Sequence, residues 1–466
     1  MNAAAAPTAD GLLEAAETRR LLETVLRLSP ADETEAVLES SNAALTRFAH
    51  NVIHQNVSDR DLSLEVRAVF GRRVAGASTN DLTAGGLEQV VAEACRLAQF
   101  ASDDADWPGL TTVAESRLAS AARENAAPYD PRVAEMSAQA RAQTVAVICE
   151  TARSQGLLAS GALATSAGAF ALLNSHGLFA HAPATEINLS FVVEQPETRA
   201  SAFGHACGWQ LEQIDTDRLA EQTVRRSLSS RWPRPVPPGT YPVVLEPYAV
   251  ASLLEALAEA GMGALAVQEE RSWMNGRLGQ PALSPLITIT DDAHDPRGVP
   301  QAFDCEGVAK QRVAMVQDGV PLTPVYDRLT ASREKDRRST GHAQPSDDED
   351  WDGPLPENLA LEPGDSTVDD LIAGISRGLY ITRFWYVNLL AAHDCTVTGT
   401  TRDGVWWIED GRLAHPVENL RFDQSLVAAL ASVRGLGRER STVAGYFGGT
   451  YRVPALALEH FRFIGP

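Results

Sequence analysis

The chain is short of positive charge. It carries 40 Lys and Arg against 61 Asp and Glu, a formal net charge of −21 over 466 residues. Grip on a phosphate backbone needs a basic face, so nucleic acid is excluded as the main partner. Cysteine is sparse as well. Cys95, Cys149, Cys207, Cys305 and Cys395 are widely spaced and form no CxxC. That usage fits reduced thiols rather than a disulfide frame or a zinc knuckle. Uninterrupted apolar runs of about 18 residues are missing, so no membrane span is expected. The opening MNAAAAPTADGLLEAAETRR lacks a basic start followed by an apolar stretch. No signal peptide is expected, and the compartment is read as the cytoplasm. There is no GxSxG elbow, no P-loop, and no GxGxxG after a strand. A Ser or Cys hydrolase therefore has no positive support, although a triad is assembled in space rather than in sequence.

What is present describes an ordinary globular chain, with 44% apolar and 22% charged residues. At about 150 residues per domain, two to four units are expected. Residues 12–27 and 82–100 have helical periodicity, and Leu62, Leu64, Val66 and Val69 sit in a half-buried strand before a turn at 71–73. Residues 131–155 read as a helix. Two strands rich in small residues follow, turning at Asn174-Ser175-His176-Gly177. After a helix at 214–227 comes RWPRPVPPGTYP, five prolines in twelve residues, read as a connector. From there β signals dominate, including GLYITRFWYV, CTVTGTT, VWWIEDG and TYRVPALALEHFRF. The expected fold is α+β. An α/β N-terminal domain (1–105) with an antiparallel sheet and a middle α/β domain (106–235) precede a β-rich, barrel-like C-terminal domain (236–466) built around a central helix.

That helix lies within residues 243–273, after the strand YPVVL and a turn at Glu246-Pro247. Val250, Leu253, Leu254, Leu257, Ala258 and Met262 recur at helical spacing. A zinc peptidase helix would carry two His ligands and a Glu base on one face, yet no His occurs between His205 and His294. His50 and His54 sit in a segment that alternates like a strand, about 13 Å apart at ~3.3 Å per residue, and lack the Glu of a zinc motif. Asp291, Asp292, Asp295, Asp304 and Glu306 are read as turn formers rather than a cation site. The run SDDEDWD at 346–352 is read as a solvated loop. Arg383, Trp385, Tyr386, Arg402 and Trp406 concentrate the residue types enriched at binding surfaces, and they are the candidate substrate or partner surface.

Several stretches together resemble the TldD/PmbA family, which is metallopeptidase-related. Thr46-Arg47-Phe48-Ala49-His50-Asn51 is similar to the family's S/T-R-F-A-N-N, and the VRAVFGRRVAGASTNDL hairpin follows it. Asn174 to Gly177, VVLEPYAVASLL, the DDAHDP and FDCEG blocks, Ser339-Thr340-Gly341-His342-Ala343 and Ile408-Glu409-Asp410-Gly411 come in family order. The resemblance implies that an active subunit holds zinc with His-Glu-x-x-x-His on the central helix and a Cys near the C-terminus. The matching helix positions here are Glu255, Ala256 and Ala260, and the Cys segment is replaced near Phe447-Gly448-Gly449-Thr450. No metal or catalytic residue is therefore expected in this chain, since losing every ligand removes Lewis-acid activation of water.

The chain thus resembles the PmbA/TldE-type branch. The resemblance implies a non-zinc subunit of a peptide-degrading complex that admits unfolded or short peptides, paired with a zinc-bearing TldD-like homologue or with itself. A groove along a strand could hold such a peptide by main-chain pairing. The alternatives are a free-standing hydrolase with a non-metal site, and a non-catalytic homodimeric binding protein.

Overall fold

The computed structural model describes residues 14–118, 128–198, 200–345 and 353–465. The acidic run at 346–352 lies outside them. β1 (Glu33–Ala49) and β2 (Val52–Phe70) form a long hairpin. His50 and Asn51 join them with φ of 50° and 65°. Two successive positive φ angles make the type I′ turn, whose twist matches that of the flanking strands. Asn51 earns this place through its side chain, which accepts from Ala159 N–H at 2.7 Å and donates to Leu157 O at 2.8 Å. The expected single strand through His50 and His54 is corrected here: the chain reverses between them, and both imidazoles are exposed.

β3 (Arg73–Thr79), β4 (Leu158–Asn174), β5 (Phe179–Glu194) and β6 (Ser201–Gly208) complete a six-stranded antiparallel sheet in the order β3-β2-β1-β4-β5-β6. β1 pairs with β4 over most of its length, so strands from both expected N-terminal units lie in one sheet. Alternation decides which face is covered. Leu38, Leu64, Val66 and Leu173 are buried under α1 (Ala15–Leu28) and α2 (Ala84–Phe100). Phe48, Leu163, Leu189 and Phe191 are buried under α3 (Ala138–Ser154) and α4 (Thr216–Ser229).

The C-terminal part is a 13-stranded sheet. Its strands are β7 (Gly239–Leu245), β8 (Ile289–Asp291), β9 (Val313–Gln317), β10 (Val320–Pro321), β11 (Asn358–Leu361), β12 (Arg377–Ile381), β13 (Phe384–Ala391), β14 (Thr396–Thr401), β15 (Val405–Glu409), β16 (Arg412–Pro416), β17 (Arg421–Ser425), β18 (Val433–Ala444) and β19 (Thr450–Gly465). The main path runs β10-β9-β8-β11-β19-β7-β12-β15-β16, and β13, β14, β17 and β18 branch from it through β19. β11 with β19 and β7 with β12 are parallel and the remaining pairs antiparallel, so the sheet is mixed. Among the described residues the ladder does not return on itself: it forms no closed barrel, and the expected barrel-like closure is not found in their pairing. The long sixteen-residue β19 explains the branching, because successive parts of it serve β11, β18, β7 and β17.

Inside this sheet lies α5 (Pro247–Glu259), with nine of its thirteen residues buried. A helix apolar over most of its surface belongs in a core, and Leu253, Leu254 and Leu257 pack there with Trp273, Leu456 and Phe461. Pro247 fits the first turn, where its missing N–H would have no helical partner.

The acids of the DDAHDP and FDCEG blocks tie loops to this core. Asp291 is fully buried; it accepts from Glu357 N and Asn358 N at 2.9 and 2.8 Å and meets His342 Nε2 at 2.9 Å. Asp304 accepts from Val308 N and Ala343 N, each at 2.9 Å. Burial alone would raise the Asp291 carboxyl, but His342, Lys310 and the backbone N–H donors overcome it and hold the group below the usual carboxylate range. A carboxyl lowered on folding contributes stability above its unfolded pKa of about 3.9 and loses it as pH falls through the folded value. Asp291→Asn is expected to lower stability at pH 7 by about 3 kcal/mol, measured by urea unfolding. The gap between the two proteins should close below about pH 4; a gap independent of pH would assign the loss to packing.

Candidate functional site

The less buried face of α5, with Tyr248, Ser252 and Glu259, opens on a surface cavity. The cavity, of about 270 Å³, lies over the middle of the helix, with Ser252, Glu255, Ala256 and Glu259 below and Trp385, Tyr386, Tyr446 and Phe447 around. Each wall has a local cause. β13 carries a register shift after Trp385, which leaves Tyr386 and Val387 outside the ladder, and Tyr386 has a φ of 56°. Bulges re-aim side chains in this way. Asn388 Nδ2 fixes the bulge by donating to Tyr386 O at 2.8 Å.

The opposite wall is the loop between β18 and β19. Glu255 is 8% exposed, and its Oε1 accepts the Phe447 N–H at 2.8 Å. A Cβ on Gly445 would stand 2.2 Å from Gly448 O and 2.5 Å from Glu255 Oε1, so only glycine lets the loop close on the carboxylate. The loop therefore presents Tyr446 and Phe447 outward, 73% and 67% exposed, with their rings edge to face at 4.9 Å.

Behind Trp385 sits a second layer. Arg383 lies 4.7 Å over the Trp385 ring and 3.9 Å over Phe203 of β6. Its guanidinium pairs with Asp403 at 3.1 Å, and Asp403 also accepts from Ser201 Oγ at 2.7 Å. The six-stranded sheet thereby supports the cavity wall directly. Burial, with Arg383 nearby, pushes His205 down to about 4 and keeps it neutral at physiological pH. Tyr248 links this layer to a larger cleft of about 630 Å³ between α4 and the C-terminal sheet, where Arg218, Arg226, Arg438 and Arg440 gather.

Of the surface residues expected from sequence, Trp385 and Tyr386 line the cavity, beside the Glu255 and Ala256 positions of the central helix. Arg383 and Arg402 stack on Trp385 from behind rather than lining the cavity. Trp406 is elsewhere: it is buried against Tyr380 in a separate core with Val244 and Ile408. Ala260 caps the helix and is buried. Tyr446, Phe447 and Phe203 were not singled out as site residues. Two aromatics between Gly445 and Gly448-Gly449 were the available signal.

Other constellations are structural. His342 bridges Asp291 to Thr340 Oγ1, each at 2.9 Å, but His342 is fully buried and the Thr340 hydroxyl donates to Tyr326 O at 3.0 Å. The Cys305 thiol lies in a cleft of about 570 Å³ beside Glu306. Burial and the carboxylates of Asp304 and Glu306 push it well above the usual thiol range, the opposite of what a thiolate nucleophile requires. Cys395 is buried and donates to Ala256 O at 3.5 Å. Among the described residues, no three His, Cys, Asp or Glu side chains stand together as metal ligands. At the helix itself, Ala256 and Ala260 have no donor atom and the Glu255 carboxylate is engaged by the loop. These residues do not fit a His-Glu-x-x-x-His zinc site.

Two family descriptions match the chain: "PmbA/TldA metallopeptidase C-terminal domain" over residues 238–465 and "PmbA/TldA metallopeptidase domain 1" over 34–98. The chain belongs to the PmbA/TldD family. A metalloprotease of Methanothermobacter thermautotrophicus is 26% identical over 297 residues, 60% of this chain and 62% of that protein. A metalloprotease TldD homologue of Haemophilus influenzae is 27% identical over 249 residues, 51% and 50% of the two chains. The match thus spans about half to three-fifths of these curated relatives. Among solved structures, TldE from Thermococcus kodakarensis superposes with a TM-score of 0.83 at 19% identity, covering 96% of this chain and 100% of that one. A Thermotoga maritima family member described as a modulator of a DNA gyrase gives 0.83 at 18% with the same coverage. These likenesses establish the PmbA/TldD fold over nearly the whole chain. No described helix is long and apolar enough to cross a membrane.

Burial raises the Glu255 carboxyl, and the Phe447 and Tyr446 N–H donors offset this only in part. A carboxyl raised on folding costs stability as pH climbs from its unfolded value near ~4.3 through the folded one. Glu255→Gln keeps the shape and an acceptor for Phe447 N–H. It is expected to match wild type near pH 4 and to equal or exceed it at pH 7 in thermal unfolding. Gly445→Ala should instead lose about 1–3 kcal/mol at both pH values; a wild-type-like Gly445→Ala would show that the loop does not close on Glu255.

Proposed function

We propose that this chain is the non-zinc subunit of a TldD/TldE-like peptide-degrading complex, and that its cavity over α5 receives part of an unfolded or short peptide. The observation that carries the reading is the helix face at Glu255, Ala256 and Ala260. It occupies the position the family resemblance gives to the zinc motif, keeps the fold around it, and offers no ligand set. Phe447-Gly448-Gly449-Thr450 stands where the resemblance puts the family's Cys segment, and Phe447 lines the cavity beside Tyr446, so in this reading the cavity is kept as a binding surface with the metal-holding donors replaced. In this reading the chain acts through association, and the Lewis-acid activation of water comes from zinc held by a partner. Exposed aromatics at one cavity are the residue types that anchor such contacts.

The test is to mix this chain with a HExxxH-bearing homologue from the same cell. The mixture is expected to elute as a dimer on sizing and to hydrolyse peptides that neither chain cleaves alone, with activity lost on adding a chelator. Elemental analysis of the isolated chain should find no stoichiometric zinc, and changing His50 and His54 should not alter that result. A zinc-bearing homologue that is fully active alone and never co-elutes, or one tight zinc per isolated chain, would overturn the reading.

A further inference from the structure

The lining of the cavity over α5 is one-sided in charge. Glu255 and Glu259 contribute carboxylates, and among the described residues no Lys, Arg or His lines it. Its outer walls are rings: Tyr386 and Tyr446 are each 73% exposed and Phe447 67%. Exposed aromatics are normally scattered singly, and a cluster at one cavity marks a binding site. A neutral apolar ligand would not use the carboxylates. An anion would be repelled by them and by the negative faces of the rings.

A cation fits both features, since aromatic faces and carboxylates attract positive charge and together form the cages that bind ammonium groups. Trp385 contributes shape more than charge recognition, because Arg383 and Arg402 already stack on it at 4.7 and 4.9 Å. Those two arginines meet Asp403 at 3.1 and 3.9 Å, so their charge is partly compensated behind the wall. Recognition therefore falls to Tyr386, Tyr446 and Phe447 above Glu255 and Glu259. The volume of about 270 Å³ suits one side chain or one chain end rather than a folded partner.

We propose that this cavity is a subsite for a positively charged group of the peptide, a lysine or arginine side chain or a free N-terminal ammonium. This deepens the reading above, resting on a peptide as the ligand. It makes the non-zinc subunit the determinant of which peptides enter.

Three hexapeptides of otherwise identical Ala/Ser sequence separate the sources: N-acetylated with an internal lysine, N-acetylated with norleucine in its place, and norleucine with a free N-terminus. Binding is measured by calorimetric titration against the isolated chain and against its mixture with the zinc-bearing homologue. The lysine peptide, the free-amine peptide or both should bind about tenfold tighter than the neutral acetylated one, with the advantage shrinking in high salt. Whichever of the two gains identifies the source. Glu259→Gln, on the exposed end of the helix, and Tyr446→Leu should each cut the ratio of charged-peptide to neutral-peptide affinity several-fold. Equal binding of all three peptides, an advantage unchanged in Glu259→Gln, or no binding at all would overturn the proposal. Peptide hydrolysis by the mixture without charge preference would sink this subsite and leave the partner-subunit reading intact. A charge preference in a chain that never pairs with a zinc homologue would do the reverse.

Discussion

The constraint on which the C-terminal half depends is the burial of α5 on every face but the one that lines the cavity. A helix with one apolar stripe needs a single sheet face; this one buries nine of its thirteen residues, and β19, β7, β18 and β13 all contact it. Enclosure forces the sheet to branch at β19 rather than continue as a flat ladder. It also sets the cost of any polar group on the helix. Buried carboxylates need partners, and Glu255 finds one in the backbone N–H of Phe447. The loop is shaped by that need: glycine at 445 allows the approach, and the aromatics at 446 and 447 are turned outward as a consequence. Core packing and the surface of the cavity are thus one problem solved by one carboxylate.

The two halves of the molecule meet at the same place. Arg383 lies between Phe203 of the six-stranded sheet and Trp385 of the cavity wall, and Asp403 is shared by Arg383 and Ser201. A guanidinium suits this position because it can stack and pair at once. Lysine could do only the second. Any relative shift of the halves would move Trp385, so the geometry of the wall depends on the sheet that β6 borders.

Much of this was legible from the residues. The central helix followed from spacing alone, and β4 and β5 from alternation, whereas the long hairpin of β1 and β2 read as short segments. What was lost was lost for physical reasons. His50-Asn51 was hidden because a type I′ turn usually announces itself with Asn-Gly or Asp-Gly, and here both residues take positive φ without glycine. GLYITRFWYV read as one strand, but the chain breaks at Thr382-Arg383 to deliver Arg383 to Asp403. β18 went unassigned because VRGLGRERSTVA is charged and glycine-bearing; it is held by pairing with β19. Propensity of that kind yields to tertiary pairing.

The candidate surface divides for the same reason. Trp385 and Trp406 lie in strands of similar composition, and no local pattern separates them. Their fates differ because Trp385 immediately precedes a bulge in a branch strand while Trp406 keeps unbroken register with β12, against Tyr380 of that neighbour. Regular pairing drives an aromatic into a layer, whereas a bulge frees the adjoining residues to face solvent. Glu255 shows the converse. Its identity was read from sequence as a ligand position replaced, a statement about what the helix cannot do. Only the fold reveals the contact that engages this carboxylate, 192 residues along the chain, and that contact sets Glu255 in the floor of the cavity.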